Sequence, residues 1–263
     1  MAPTHKIIVF TDLHITVDPH PDNPDPADSL RAGLAHAMAT NPDAAMILLT
    51  GDLTHHGDAA SYRRLKPLLE GAPVPVVFML GNHDDRGAFR DVFPDVPVDE
   101  DGFVQRVVTL GDYRLITLDT LVVPREGVAH THAGELCARR MAWLDLALAE
   151  AGDMPCIVAL HHPPNPTGFA SMDRIRLRAG EAFHDLIARH GNVRHLICGH
   201  IHRTISGTHR GTPYSIFKSP VGQMPLNFEG LDTSVECDDP PAFGIVIAHE
   251  AGVMVHTEDY AVP

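Results

Sequence analysis

The chain has 263 residues, with 20 Lys plus Arg against 34 Asp plus Glu, a formal charge of −14 and 19 His. This length suits one domain over 1–263, and the longest apolar run, 74–80 with Pro75 inside it, is too short for a membrane span. The acidity argues against a nucleic-acid duplex as partner, because backbone binding relies on Lys and Arg displacing counterions. The histidine excess directs attention to a metal or proton-transfer site.

Residues 6–10 form a short β-rich apolar run that stops at Thr11-Asp12, which predicts a buried strand delivering polar residues at its carboxyl end. A helix follows. Asp25 can cap it, Pro26 suits its first turn, Asp28 complements its dipole, and Leu30, Leu34 and Met38 recur every fourth residue before Asn41-Pro42 ends it. A second strand, 45–49, ends at Thr50-Gly51-Asp52, and a helix over about 58–70 places Tyr62, Leu65 and Leu69 on one side, with Pro67 a poor fit for its last turn. A third strand, 74–80, ends at Gly81-Asn82-His83-Asp84. Such βαβα alternation collects chemistry at strand ends, as in open α/β sheets.

The runs 103–110 and 113–118, joined at Gly111-Asp112, predict a hairpin. A helix over 135–151 is expected to bury Cys137, Met141, Leu144 and Leu148, after which a strand over 157–160 ends at His161-His162. A helix over 180–190 precedes a strand over 193–198 that ends at Gly199-His200-Ile201-His202. Strands near 214–218, 243–249 and 253–257 read as the antiparallel close of a second sheet, so 203–263 is expected to complete that sheet, with room to cap the site. The expected fold is α/β, a two-sheet sandwich flanked by helices. Cys137, Cys156, Cys198 and Cys237 lack a paired CxxC spacing and are expected to be reduced, buried thiols. Without a signal peptide's apolar stretch in 1–10, a soluble, cytoplasmic protein is expected.

Asp12 and His14 lie two apart, so on an extended backbone both side chains point the same way and can grip one ion. Asp52 adds a carboxylate able to bridge two ions, and Asn82 supplies an amide oxygen beside His83, which is left free for catalysis. His161, His200 and His202 supply neutral nitrogens, which suit zinc, iron and manganese better than magnesium or calcium. With Asp52 shared, these ligands can hold two ions and leave room for a bridging hydroxide and a substrate.

The ordered blocks Asp12-x-His14, Gly51-Asp52, Gly81-Asn82-His83-Asp84, His161 and Gly199-His200-x-His202 resemble the calcineurin-like metallophosphoesterase superfamily over roughly 7–202. Within it the chain is similar to the bacterial class III cyclic nucleotide phosphodiesterase and glycerophosphodiesterase group. The matching text is Gly51-Asp52-Leu53-Thr54 with Gly57 and Tyr62, then Asp85 after the third block, His161-His162-Pro163-Pro164, Met172-Asp173, and Cys198 before the last block. The resemblance implies Asp12, His14, Asp52 and His202 on one transition-metal ion, and Asp52, Asn82, His161 and His200 on another, the ions being Mn, Fe or Zn. It implies hydrolysis of a small phosphodiester, such as a 3′,5′-cyclic nucleotide or a glycerophosphodiester, by a hydroxide bridging the metals. His83 would stabilise developing charge or protonate the departing alkoxide. A homo-oligomer is also expected.

For substrate contacts the candidates are His162, Met172, Asp173 and His55, with His56, His130, His132, Arg174, Arg176 and Arg178 open between cleft and solvent. A phosphomonoesterase or protein phosphatase would share the metal core, but the Ser/Thr phosphatases follow Gly-Asp with Asp-Arg-Gly, and here Leu53-Thr54-His55-His56-Gly57 follows. A repair nuclease would want a basic channel. A non-catalytic binding module of this fold would be expected to have lost ligands, and none is missing. His5, His20, His36, His184, His190, His195, His209, His249 and His256 show no ligand spacing, and Cys198 reads as a small apolar strand residue.

Overall fold

The apolar run at the amino terminus becomes β1 (His5–Phe10), and it is parallel to β2 (Met46–Thr50), which is parallel to β3 (Val76–Met79). The computed structural model describes residues 4–20, 24–123, 132–232 and 234–262, so His130 lies outside the described residues. Between these strands, α1 (Pro26–Thr40) starts where the Asp25 carboxylate accepts from the Ala27 amide, and α2 (Ala59–Leu69) starts where Asp58 accepts from Ser61. Helix α2 runs through Pro67 to Leu69, held by the burial of Tyr62, Leu65 and Leu69 on its inner face. A short α3 (Arg86–Val92), capped by Asp85, was not anticipated from periodicity.

The second half opens with an antiparallel pair, β4 (Arg106–Leu110) and β5 (Tyr113–Leu118). β5 is parallel to β6 (Cys156–Leu160), which is parallel to β7 (Val193–Cys198), with α4 (Ala138–Ala151) and α5 (Gly180–His190) in the connections. Helix α4 buries Arg140, Leu144, Ala147 and Leu148 rather than Cys137 and Met141, because Cys137 is its N-cap and Met141 is only half-buried. All four cysteines are free thiols; Cys156 and Cys198 are buried as expected, while Cys137 and Cys237 are half-buried.

The carboxyl-terminal strands divide between the sheets instead of completing one. β8 (Ile205–His209) and β9 (Thr212–Ile216) extend the six-stranded sheet β4-β5-β6-β7-β9-β8, where β9 lies parallel to β7. β10 (Ala242–His249) instead pairs antiparallel with β1, and β11 (Gly252–Asp259) pairs with β10, giving the five-stranded order β11-β10-β1-β2-β3. Packing explains the choice: β10 brings Phe243 against Phe10 with ring centroids 5.5 Å apart, and covers the open edge of β1.

The two sheets face each other across a core that includes Ile7, Val9 and Leu48 from one and Leu115, Ile157 and Ile197 from the other. Leu30, Tyr62, Leu65 and Phe89 pack the first sheet's outer face, and Leu144, Leu148, Phe183 and Leu186 pack that of the second. The result is a two-sheet sandwich flanked by helices. Among the described residues no helix is long and apolar enough to cross a membrane.

Candidate metal centre

Strands β1, β2, β3, β6 and β7 end at the same rim, and the polar residues after each converge there. The premise of an extended backbone at Asp12 and His14 does not hold. Their φ angles are 54° and 45°, and Asp52, His200 and His202 are also left-handed at 47°, 74° and 51°. Such conformations cost a non-glycine residue about 1–3 kcal/mol each. Tertiary hydrogen bonds impose them: the Asp12 amide donates to Gly51 O at 3.0 Å and the His14 amide to Asp52 O at 2.9 Å. The β1 and β2 loops are thereby zipped together, and the His200 amide adds a bond to Asp12 Oδ1 at 3.1 Å. Gly81 lets the third loop close in, since a Cβ there would lie 2.2 Å from Asp52 Oδ1 and 2.5 Å from the Asp52 amide nitrogen.

Asp12, His14, Asp52, Asn82, His161, His200 and His202 are brought together. His14 Nε2 lies 3.0 Å from His202 Nε2, which is 3.4 Å from Asp12 Oδ1. Across the cleft, His161 Nε2 lies 3.2 Å from Asn82 Oδ1 and 3.3 Å from Asp52 Oδ2. The same Asp52 oxygen is 3.8 Å from His14 Nε2, so one carboxylate oxygen faces both halves. His161 Nδ1 pairs with Thr50 O at 2.8 Å and His202 Nδ1 with Gly222 O at 2.8 Å; each Nδ1–H donates outward, and each Nε2 turns inward. His200 Nε2 is buried without a hydrogen-bond partner. Buried polar atoms are normally paired, so an orphaned imidazole nitrogen beside this carboxylate and imidazole set fits a bound transition-metal ion.

The electrostatics express the same crowding. Burial pulls the His161 imidazolium down, but the Asp52 and Asp12 carboxylates override it and raise its pKa to about 9. His202 is likewise raised to about 9 against its burial, chiefly by Asp12. Burial and the neighbouring imidazoles hold His14, His162 and His200 well below the ordinary histidine range. Despite burial, His161 holds Asp52 well below the usual carboxylate range, and His202 lowers Asp12. Two carboxylates in the ionised form and imidazoles with inward nitrogens make a cation-seeking cavity.

His83 is half-buried, with Nδ1 donating to His55 O at 2.9 Å. His162 is buried with both nitrogens in use: Nε2–H donates to His132 O at 3.0 Å, so Nδ1 accepts from the Thr120 hydroxyl at 2.7 Å. It packs against His161 and His200 with ring centroids 4.8 and 4.7 Å away. Two of the expected substrate contacts, Met172 and Asp173, have partners within the protein. Met172 packs in the hydrophobic core, and the Asp173 carboxylate accepts from the Thr167 and Gly168 amides, closing its own loop. Arg176 donates to Asp173 O, Arg174 is exposed, and the Arg178 amide donates to Gly134 O. His55 and His56 are exposed, and His55 Nδ1 is 3.3 Å from His14 Nδ1. His132, left open by the sequence, reaches the site, where Asn82 Nδ2 lies 3.1 Å from its Nδ1.

One residue in the motifs received no role in the sequence reading: Asp84. Its buried carboxylate accepts from the amides of Leu53 at 3.1 Å, Thr54 at 3.2 Å and Gly81 at 2.9 Å, and from the Tyr62 hydroxyl at 2.8 Å. It ties the loop after Asp52 to the loop before Asn82. Burial and the charge of Asp52 raise its pKa to about 7.

A family model described as calcineurin-like phosphoesterase matches residues 5–204. A probable cyclic nucleotide phosphodiesterase from Rhodopseudomonas palustris is 38% identical over 253 residues, covering 95% of this chain and 91% of that protein. A glycerophosphodiester phosphodiesterase from Enterobacter lignolyticus is 26% identical, over 98% of this chain and 92% of that one. Among solved structures, a dimetal phosphatase from Danio rerio superposes with a TM-score of 0.71 at 14% identity, covering 98% of this chain and 99% of that chain, which is a likeness of fold.

Proposed function

The chain belongs to the calcineurin-like phosphoesterase family, and we propose that it is a metal-dependent hydrolase of small phosphodiesters, of the 3′,5′-cyclic nucleotide or glycerophosphodiester class, with 1–263 acting as one domain. In this reading Asp12, His14, Asp52 and His202 hold one transition-metal ion, and Asp52, Asn82, His161 and His200 hold the other. The observation that carries it is the position of Asp52 Oδ2, 3.3 Å from His161 Nε2 and 3.8 Å from His14 Nε2, within reach of both halves of the donor set that would hold the ions. Two such ions, when bound, lower the pKa of water and neutralise phosphoryl oxygens during an in-line displacement.

The chain's own residues do the rest. The outward Nδ1–H bonds of His161 and His202 orient both rings, and Asp84 holds the loops that carry Asp52 and Asn82. His83 donates Nδ1–H to His55 O, which leaves Nε2 as the atom that, when the ring is doubly protonated, gives its proton to the departing alkoxide and returns to the neutral ring. The exposed Leu226, Phe228, Leu231 and Val235 support an assembly of chain copies, which a single-copy mass by light scattering would exclude.

The test is a turnover panel of cyclic nucleotides, glycerophosphodiesters, phosphonate monoesters and phosphomonoesters with Mn²⁺-reconstituted protein. Hydrolysis of the diesters with negligible turnover of phosphomonoesters supports the reading; turnover of phosphomonoesters alone removes it.

A further inference from the structure

We infer that His55 and His132 are a pair of positioning residues, each fixing the donor atom of one side chain on one half of the metal centre: His55 acts through His14, and His132 through Asn82. The inference rests on the two-ion reading above. A neutral imidazole can offer Nε2 to a cation only when its proton sits on Nδ1, and in a crowded site that proton needs an acceptor. His161 and His202 use the backbone carbonyls of Thr50 and Gly222. For His14 the acceptor is an imidazole, His55 Nδ1 at 3.3 Å, while His14 Nε2 faces His202 and Asp52.

Asn82 has the corresponding problem in a different form. An amide turned by 180° would present its NH₂ to a cation, and the two orientations have nearly the same shape. His132 Nδ1 lies 3.1 Å from Asn82 Nδ2 and accepts its hydrogen, which leaves Oδ1 directed toward His161 Nε2 at 3.2 Å. The two positioning rings flank His83. His55 stacks on it with centroids 5.3 Å apart and 27° between planes, and His132 lies on it at 5.4 Å and 38°. Three imidazoles therefore form a row along the mouth of the cleft, with the proton-delivering ring in the middle. His55 also anchors that middle ring through its carbonyl, a contact that survives side-chain replacement.

The test is calorimetric titration of the metal-free full chain with Mn²⁺, in wild type, His55→Ala and His132→Ala, each also combined with His14→Ala and with Asn82→Ala. Wild type binds two ions. Each single variant weakens one binding event by about 10- to 100-fold, the range for loss of an outer partner. His55→Ala is non-additive with His14→Ala and additive with Asn82→Ala, and His132→Ala shows the reverse. His55→Asn and His132→Asn, whose amide oxygen can accept the same hydrogen, restore most of the affinity, and the melting temperature of the metal-free protein is unchanged in the single variants of His55 and His132 because both residues are exposed. Unchanged affinities, equal coupling to both partners, or Asn variants as weak as the Ala variants would overturn the inference. So would a third ion in wild type that His55→Ala abolishes, since His14, His55 and His83 would then be ligands of their own ion. Failure of wild type to bind a second ion would instead defeat the two-ion reading, and this inference with it.

Discussion

Replacing Tyr62 with Phe tests whether the buried bonds behind the site hold the site. The ring is fully buried, its hydroxyl donates to Asp84 Oδ1 at 2.8 Å, and it accepts from the Asp85 amide at 3.1 Å. Burial and the Asp84 carboxylate push the phenol's pKa upward, so it remains a donor throughout the working range. Above about pH 7, where Asp84 is ionised, removing the hydroxyl deletes a hydrogen bond to a charged group and strips an amide of its acceptor, which costs about 2 kcal/mol. For a chain of this size that is a fall in melting temperature of roughly 4–8 °C. Asp84 loses one of its restraints, so Mn²⁺ affinity should fall together with stability. Thermal melts and Mn²⁺ titrations beside a Tyr113→Phe control make the comparison, because Tyr113 donates to His249 O at 3.1 Å and has no contact with Asp84. A Tyr62→Phe melt within about 1 °C of wild type, or a lower melt with unaltered metal affinity, would refute the coupling between this bond and the site.

Asn82→Ala should weaken one Mn²⁺ binding event in a calorimetric titration, whereas His83→Ala should leave both events intact and slow diester turnover by about 10²- to 10⁴-fold; equal metal loss in the two variants contradicts the assigned roles. Gly81→Ala drives a Cβ to 2.2 Å from Asp52 Oδ1, and should lower stability by about 3 kcal/mol while removing tight metal binding, as melts and metal analysis would read. In the metal-free protein, His161 and His202 have pKa values raised from 6.5 to about 9, so their stabilisation is fully present below pH 6.5 and is lost as pH rises through about 9. Metal binding runs the other way: each ion expels a proton from one of these rings, so apparent Mn²⁺ affinity should rise up to about tenfold per pH unit between those limits. A pH-independent affinity would count against both rings as ligands.

The strand ends and their polar residues were legible because buried parallel strands read as short apolar runs, and the chemistry stands immediately after them at Asp12, Asp52, Asn82, His161 and His200. Spacing did not disclose how those residues are held. The sequence suggests an extended Asp12-x-His14, whereas the left-handed backbone at both residues is imposed by the β2 loop, 39 positions on from Asp12 at Gly51 and 38 on from His14 at Asp52, through bonds such as His14 N to Asp52 O. Likewise, β10 was recognisable as a strand, but its partner is β1 at the opposite end of the chain, and nothing in its own apolar alternation names that edge. Helix α3 is too short to show periodicity, and β8 alternates between exposed and half-buried residues with little apolar signal. The packing of Met172 in the core likewise depends on tertiary neighbours that its place in a motif does not name. Asp84 stood in plain view within Gly81-Asn82-His83-Asp84, and its role became apparent only when the amides of Leu53 and Thr54 were seen to converge on it.

The most direct measurement of the central claim is the rate of bis(p-nitrophenyl) phosphate hydrolysis as a function of bound Mn²⁺, in wild type and in Asp52→Asn. The proposal that Asp52 is shared by both ions predicts that diester turnover appears as the second ion binds, and that Asp52→Asn loses tight binding of both ions together with the activity. Full turnover at one bound ion, or a variant that retains two ions and wild-type rate, would contradict it.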